Sequence, residues 1–323
     1  MAEVIRLRAP GGVEQLELTN IELPPLSPDE IRLSQTAIGV NFIDVYQRLG
    51  RYGLPPAGIP GVEAVGRVSA IGSSVTAVKV GDRIAYAGAP VGAYASQRNL
   101  PGWRALKLPD GLSDELVASC LVKGITTHML LHRVYPVRSG SVVLVHSAAG
   151  GLGQVLTRWA VRMGAHVIGT VGSAEKAEIA RNAGADHVIV GRDADFAHAV
   201  EELTAKRGVD VAYDGVGGTT LRKTLACVRP FGMVASIGQS GGPIPPLDIE
   251  DLGPRRSLML ARPSVMAYMN DAEAYRCAAE AVLGALVQGQ LGIAGKAYRL
   301  SDAALAHSDL EAGRTHGALY LKP

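Results

Sequence analysis

The sequence predicts an α/β protein in which a doubly wound parallel sheet is joined to a second, β-rich domain. Three observations carry this. Between about residues 124 and 265, short apolar runs alternate with helical patterns: VVLVH, GQVLTRWAVRM, HVIGTV, AEKAEIARNAG, HVIV, FAHAVEELTAK, VDVAYD, LRKTLACV, GMVASIG and LMLARPSV. Apolar strands that each lead into a helix are the mark of parallel βαβ units covered on both faces. Residues 1 to about 120 have another texture, with β-rich runs such as EIRLSQTAIGV, EAVGRVSAIG and GDRIAYA broken by Gly/Pro turns including YGLPPAGIPG. Third, the first strand of the alternating region runs through a glycine-rich joint straight into a helix, as SVVLVHSAAGGLGQVL.

Taken in order, the β-rich segment comes first and the alternating segment second. The run DAEAYRCAAEAVLGALVQGQL then has apolar residues at helical spacing, and a short segment ending GALYLKP follows. We assign this tail to the first domain, giving 1–122 with 267–323 for the β-rich domain and 123–266 for the dinucleotide-binding domain. A chain of 323 residues that is 47% hydrophobic and 19% charged has enough apolar material for two such cores.

Composition also excludes. The formal charge is only +2 and the densest basic run is the pair Arg255-Arg256, so no nucleic-acid footprint is expected. No stretch reaches the roughly 20 apolar residues that cross a bilayer, and a cytoplasmic location is expected. Cys120, Cys227 and Cys277 stand far apart, which predicts buried apolar side chains rather than a disulfide or zinc cluster.

The glycine-rich joint predicts a dinucleotide site. After VVLVH come Ala148, Gly150 and Gly153 in an A-x-G-x-x-G arrangement, so the loop Ala149-Gly150-Gly151-Leu152-Gly153 opens the helix. Glycine at 150 lets the backbone approach a pyrophosphate, glycine at 153 lets helix and strand pack closely, and the helix N-terminus is the anion site. About twenty residues on, where a carboxylate would hold the ribose 2′-hydroxyl of NAD, the chain has Gly172-Ser173-Ala174-Glu175-Lys176. A hydroxyl and an ammonium favour the 2′-phosphate of NADP, since phosphate needs donors and positive charge. The competing reading makes Ser173 a helix N-cap, Glu175 a first-turn carboxylate able to face the ribose, and Lys176 a solvated charge.

The segments NFIDVYQRLGRYG, GVEAVGRVSAIGSSVTAVKVGDRI, SAAGGLGQ, GTVGSAEKAEIARNAGADHVI and ARPSV resemble the zinc-independent quinone oxidoreductases of the medium-chain dehydrogenase/reductase superfamily, the zeta-crystallin-like branch. The resemblance spans nearly the whole chain. It implies a GroES-like catalytic domain built from both termini, a Rossmann domain between them, a homodimer, and NADPH-linked reduction of a small-molecule quinone. It also implies the absence of metal. Where zinc-dependent relatives carry Gly-His-Glu, this chain reads Gly61-Val62-Glu63, and valine offers no ligand.

Further site residues follow from the resemblance alone. Asn41, Asp44, Tyr46 and Tyr52 fall at positions beside the nicotinamide. Of these, Asn41, Tyr46 and Tyr52 are expected to donate to a quinone oxygen and pack on the ring, and Asn41 also to touch the cofactor. Asp44 competes with a capping role and with a surface ion pair to Arg48, four residues on. Tyr46 competes with an edge-of-core role. Lys123 and Thr126 match residues near the nicotinamide. Gly215, Ile237, Gly238, Gln239, Ser240, Arg262, Pro263, Ser264 and Arg314 match cofactor-lining positions, although any of these arginines could instead join an ion pair. Three departures from the family pattern stand out: Thr127-His128-Met129 where tyrosines are common, Gly215 where Ser is usual, and Gly191 where a Tyr stacks near the adenosine phosphate. Arg192 is the candidate to replace the lost phosphate contact. An enone or 2-alkenal reductase would use the same chemistry, and a cofactor-binding protein without turnover is the reading from another class.

Overall fold

In the computed structural model the described residues are 1–254 and 256–323, and Arg255 lies outside them. Packing divides the chain into two units, Met1–Ile125 with Met266–Pro323, and Thr126–Val265.

In the first unit, β1 (Ala2–Leu7) and β2 (Leu16–Ile21) form an antiparallel ribbon. The long β3 (Glu30–Val40) alternates between half-buried and buried residues over Glu30–Gln35, then ends in four buried ones. Period-two alternation makes it a sheet strand, and the buried end delivers the chain into the core at Asn41. There α1 (Phe42–Arg48) begins, followed by β4 (Glu63–Ile71), β5 (Arg83–Ala87), β6 (Gln97–Pro101), β7 (Leu106–Lys107) and α2 (Asp114–His128).

The second unit runs β8 (Val142–Val145), α3 (Gly151–Arg162), β9 (His166–Val171), α4 (Ala174–Asn182), β10 (His187–Val190), α5 (Phe196–Leu203), β11 (Val209–Asp214), α6 (Thr220–Ala226), β12 (Val228–Ser236) and β13 (Met259–Ala261). All its strands are parallel, in the order β10-β9-β8-β11-β12-β13. The chain steps outward from β8 to β10, then returns to the other side of β8. That reversal between β8 and β11 is the switch point at which an open α/β sheet binds a dinucleotide. Leu144, Ile168, Ala212 and Val234 are buried in one core with Leu221 and Leu225 of α6.

The chain then returns to the first unit through α7 (Val265–Tyr268), α8 (Ala272–Val287), β14 (Gly295–Arg299), α9 (Ala303–Glu311) and β15 (Ala318–Lys322). β15 pairs antiparallel with the end of β3, Leu319 opposite Val40 and Leu321 opposite Ile38, and parallel with β14. The seven-stranded sheet runs β14-β15-β3-β4-β5-β7, with β6 also on β3. Its core joins Ile31, Leu33 and Ile38 to Tyr298, Leu319 and Leu321 of the tail. Among the described residues no helix is long and apolar enough to cross a membrane.

One glycine sets the approach of α3 to its sheet. A Cβ on Gly153 would stand 2.3 Å from the Ser147 carbonyl oxygen and 2.8 Å from the Ala148 Cα, both backbone atoms that cannot swing aside. A Cβ on Gly284, inside α8, would meet nothing within 4 Å. Gly153→Ala is therefore expected to cost about 1–3 kcal/mol, and Gly284→Ala to add about 0.5–1 kcal/mol by restoring helix propensity. Thermal unfolding followed by circular dichroism reads both, and a Gly153→Ala protein as stable as the parent would refute the close approach.

Candidate active site

The loops at the C-terminal ends of β8, β9, β11 and β12 hold the residues expected to meet a dinucleotide. Gly150 is the N-cap of α3, and no side chain caps that helix. The first N–H groups of the helix, at Gly151, Leu152 and Gly153, thus lack side-chain acceptors where an anion would sit. Ser147 takes φ +54° to turn the loop, Gly150 N–H donates to the Ser147 carbonyl at 2.8 Å, and the Gln154 amide donates to the Ala149 carbonyl at 2.8 Å.

At the end of β9, Gly172 and Ser173 are exposed. Ser173 is the N-cap of α4 and accepts the Lys176 N–H at 3.4 Å, so the capping role read from the sequence is filled. Gly191 sits at φ +125°, a conformation costly for any side chain, which makes glycine the fitting residue there. Arg192 next to it lays its Cγ and Nε 3.4 and 3.5 Å from where a Gly172 Cβ would be. The guanidinium is thereby brought beside the Gly172-Ser173 turn.

The loops after β11 and β12 are stitched together. Ser240 N–H donates to the Gly215 carbonyl at 3.2 Å, its hydroxyl to the same oxygen at 3.1 Å, and Gly241 N–H to the Val216 carbonyl at 2.8 Å. A Cβ on Gly238 would stand 2.7 Å from that Gly215 oxygen, whereas one on Gly215 would meet only the Ile237 side chain at 3.8 Å. Ile237 and Gln239 are half-buried in this pair of loops. Past β13, Arg262 donates to the buried Ser236 hydroxyl at 2.9 Å, and Pro263 and Ser264 lead into α7. Thr126 is half-buried on α2.

In the first unit a different cluster forms. Asn41, 9% exposed, is the N-cap residue of α1. Its Oδ1 accepts from Lys123 Nζ at 2.9 Å and its Nδ2 donates to Glu63 Oε1 at 2.8 Å, which fixes the amide orientation. Glu63 has no exposed surface, takes Val122 N–H on its other oxygen at 2.8 Å, and stands 3.8 Å from the Lys123 ammonium. Burial pushes its carboxyl upward, opposed by Lys123, Asn41 and Val122. One Nδ2–H of Asn41 stays outside these bonds.

Asp44 is a correction to the ion pair that its spacing suggested. Both Asp44 and Arg48 are buried, Arg48 pairs with Glu311 at 2.6 Å, and Asp44 accepts Asn41 N–H at 2.8 Å and the Tyr94 hydroxyl at 3.1 Å. Tyr94 also meets His307 Nε2 at 2.9 Å. Burial pushes the Asp44 carboxyl up to about 7, partly opposed by Asn41 N–H and Tyr94.

Tyr46 is buried and Tyr52 is 55% exposed, their rings edge to face with centroids 5.6 Å apart. Arg51 lies over Tyr46 at 5.6 Å. Arg314 is committed elsewhere in this unit, to Asp309 at 2.9 Å and the Ser308 hydroxyl at 3.2 Å. His128, on the other unit, packs against His132 and Trp159, and burial lowers it to about 4.

Against known proteins, the "Alcohol dehydrogenase GroES-like domain" family matches residues 27–110 and the "Zinc-binding dehydrogenase" family residues 151–283. A quinone oxidoreductase of Pseudomonas aeruginosa is 40% identical over 326 aligned residues, covering 100% of both chains. The chain belongs to the quinone oxidoreductases of the medium-chain dehydrogenase/reductase superfamily. Within this family, a 2-haloacrylate reductase of a Burkholderia species is 38% identical, covering 100% of this chain and 99% of the relative. The crystal structure of Escherichia coli quinone oxidoreductase complexed with NADPH superposes with a TM-score of 0.95 at 35% identity, covering 100% of both chains.

The zinc in one family description finds no fitting ligands in this quinone oxidoreductase homologue. Val62 carries no donor atom, the Glu63 carboxylate is filled by Asn41, Lys123 and Val122, and among the described residues no three His, Cys, Asp or Glu side chains stand together.

The Asp44 carboxyl gives a pH test. Its value rises from 3.8 to about 7 on folding, so the folded state binds the extra proton between these values and stability falls as pH rises through that window. Asp44→Asn keeps an acceptor oxygen and removes the titration. Relative to the parent, this variant is expected to gain stability steadily from about pH 4 to about pH 7 and to gain nothing more above it. Urea unfolding at pH 4.5, 6 and 8 reads this, and a pH-independent difference would contradict it.

Proposed function

We propose that this chain reduces quinones with NADPH by hydride transfer, without a metal. The observation that supports the reading best is the N-terminus of α3, free of any side-chain cap at the end of β8, in a chain that superposes end to end on a quinone oxidoreductase solved with NADPH. Bound NADPH supplies the hydride.

The chain's own residues do the rest. The backbone N–H groups at 151–153 bind the pyrophosphate, and Ser173, Lys176 and Arg192 hold the 2′-phosphate with a hydroxyl, an ammonium and a guanidinium. Gly215, Ile237, Gly238, Gln239 and Ser240 line the path of the cofactor, with Arg262, Pro263, Ser264 and Thr126 beside it. On the other unit, the remaining Asn41 amide proton and the Lys123 ammonium bear the negative charge that develops on the substrate oxygen. Fixed donors in a buried setting need no reorganisation as charge appears. Tyr46 props Tyr52, whose exposed ring packs on the planar substrate. Solvent supplies the proton that completes the hydroquinone. Arg314, held by Asp309, acts in this reading through the tail segment rather than as a free phosphate ligand.

A second reading, reduction of an activated carbon–carbon double bond, is favoured by the 38% identity to a 2-haloacrylate reductase. The hydride then goes to carbon, and the same donors bear the enolate oxygen. We also propose a homodimer, which the exposed Met259 on the edge strand β13 supports.

Consumption of NADPH followed by absorbance, with a small benzoquinone and separately with a 2-alkenal, decides between the two reactions. Chelator-insensitive turnover with the quinone is expected. Preference for the alkenal would move the assignment, and tight binding without turnover on either would leave a non-catalytic protein. In the same titrations Arg192→Ala is expected to weaken NADPH by about tenfold, the scale of one charge-assisted contact, while leaving NADH unchanged. Equal NADPH affinity would remove Arg192 from the phosphate site.

A further inference from the structure

Beneath the cofactor loops runs a buried polar chain that the proposed chemistry does not use. His146 directly follows β8 and precedes the glycine-rich loop, Thr170 is the penultimate residue of β9, two before Gly172, and Asp214 is the last residue of β11, one before Gly215. The three strands are neighbours in the order β9-β8-β11. His146 Nδ1 lies 2.9 Å from the Thr170 hydroxyl, and His146 Nε2 lies 2.9 Å from the Thr224 hydroxyl on α6. Thr224 in turn lies 2.9 Å from Asp214 Oδ2, while Asp214 Oδ1 accepts Val216 N–H and Gly217 N–H, both at 2.8 Å. His146 is 6% exposed, and Thr224 and Asp214 are wholly buried.

Thr224 Oγ1 has two acceptors in reach, the Thr220 carbonyl at 3.0 Å and Asp214 Oδ2 at 2.9 Å, and the charged carboxylate is the stronger. A hydroxyl and a carboxylate oxygen 2.9 Å apart in a buried site hold together with a proton between them, so Thr224 donates to Asp214. Its one proton used, Thr224 can only accept from His146, which places the imidazole proton on Nε2. Burial lowers the affinity of His146 for a second proton, against the pull of Asp214, so Nδ1 is bare and accepts from Thr170. Every donor and acceptor in the chain is then matched. The backbone follows the same lines, with Ala148 N–H on the Thr170 carbonyl at 3.0 Å and His146 N–H on the Tyr213 carbonyl at 3.2 Å.

We propose that His146 is a positioning residue for cofactor binding, which with Thr170, Thr224 and Asp214 holds the loops after β9, β8 and β11 at one spacing, and so presents the 2′-phosphate, pyrophosphate and nicotinamide-side contacts together. This rests on the NADPH reading above. The two ring nitrogens serve different loops. The Nδ1 arm ties the glycine-rich loop to Gly172 and Ser173, on the side where an adenosine ribose phosphate binds. The Nε2 arm ties it to Gly215 and its neighbours, on the opposite side of the switch point. His146 also packs edge-on against Phe196 at 4.8 Å, so a purely structural role in the core is the alternative to exclude.

Amide side chains separate the arms. Asparagine places its carbonyl oxygen near Nδ1, and glutamine places its amide nitrogen near Nε2. His146→Gln therefore cuts the Thr170 arm, as does the near-isosteric Thr170→Val, and His146→Asn cuts the Thr224 arm. The ligands are NADPH and 2′,5′-ADP, which carries the adenosine half alone, titrated by calorimetry well below each variant's unfolding temperature. His146→Gln and Thr170→Val are expected to raise the Kd of both ligands by about five- to tenfold, the scale of one lost hydrogen bond. His146→Asn is expected to raise the Kd of NADPH by a similar factor and to leave 2′,5′-ADP within about twofold of the parent. Unchanged Kd values with only a lowered Tm would reduce His146 to a packing residue and overturn the proposal, as would equal losses of both ligands in all three variants. A parent protein that binds neither ligand would instead defeat the NADPH reading itself, and the two failures are thereby told apart.

Discussion

A carboxylate with no exposed surface dictates what surrounds it, and Glu63 does so for the catalytic unit. Removing an ionised carboxyl from water costs several kcal/mol unless charge and donors replace the lost hydration. Here the replacement comes from three separate pieces of chain: Asn41 at the start of α1, Lys123 on α2 and the Val122 backbone N–H. Each contact is also a constraint on the donor. Asn41 cannot turn its amide without placing an oxygen against Glu63, and Lys123 is held by Asn41 on one side and Glu63 on the other. The same carboxylate that closes this part of the core therefore aims the two donors we propose for the substrate oxygen. In the proposed reading, preorganisation of the oxyanion contacts and burial of Glu63 are one arrangement viewed from two sides.

The cofactor unit solves a similar problem with a histidine. His146, Thr224 and Asp214 have almost no contact with water, and each is matched by a partner on a neighbouring element. In both units a buried polar chain ties together the ends of elements distant in sequence. Loops to which we assign ligand contacts are thus anchored by side chains that need not touch the ligand.

These chains mark the limit of what the sequence discloses. The alternation of strands and helices was legible from residue 142 onward because each element is long enough to show its period, and the glycine-rich joint sits inside one such repeat. Gly153 could be read as a packing glycine because strand, loop and helix are contiguous. The bond between Lys123 and Asn41 crosses 82 residues and that between His146 and Thr224 crosses 78. No local periodicity encodes such pairings. The i,i+4 spacing of Asp44 and Arg48 suggested a surface pair because spacing carries no information on burial, and the fold buries both and gives Arg48 to Glu311. Tyr46 and Tyr52 look alike in the sequence, yet one is enclosed and the other open. Arg314 matched a cofactor position by resemblance, and only the fold brings Asp309 against it. Gly191, a departure from the family pattern on paper, has the backbone angle that glycine tolerates best.

The pairing of β15 with the end of β3 sets an order on the chain as it is made. Residues 126–265 form their unit from one unbroken stretch, so all of its strands have left the ribosome while β15 is still unsynthesised. The end of β3, by contrast, has β4 on one edge but lacks its β15 partner on the other until residues 319–321 arrive, and Asn41 follows directly from that end. Domains generally fold as they emerge. The nucleotide-binding unit is thus complete first, and the strand that delivers Asn41 waits for residues 319–321. A truncation that removes residues 319–321 would then leave a chain that can still fold its nucleotide-binding unit but cannot finish the strand pairing beside Asn41, so nucleotide retention would outlast the ordering of Asn41.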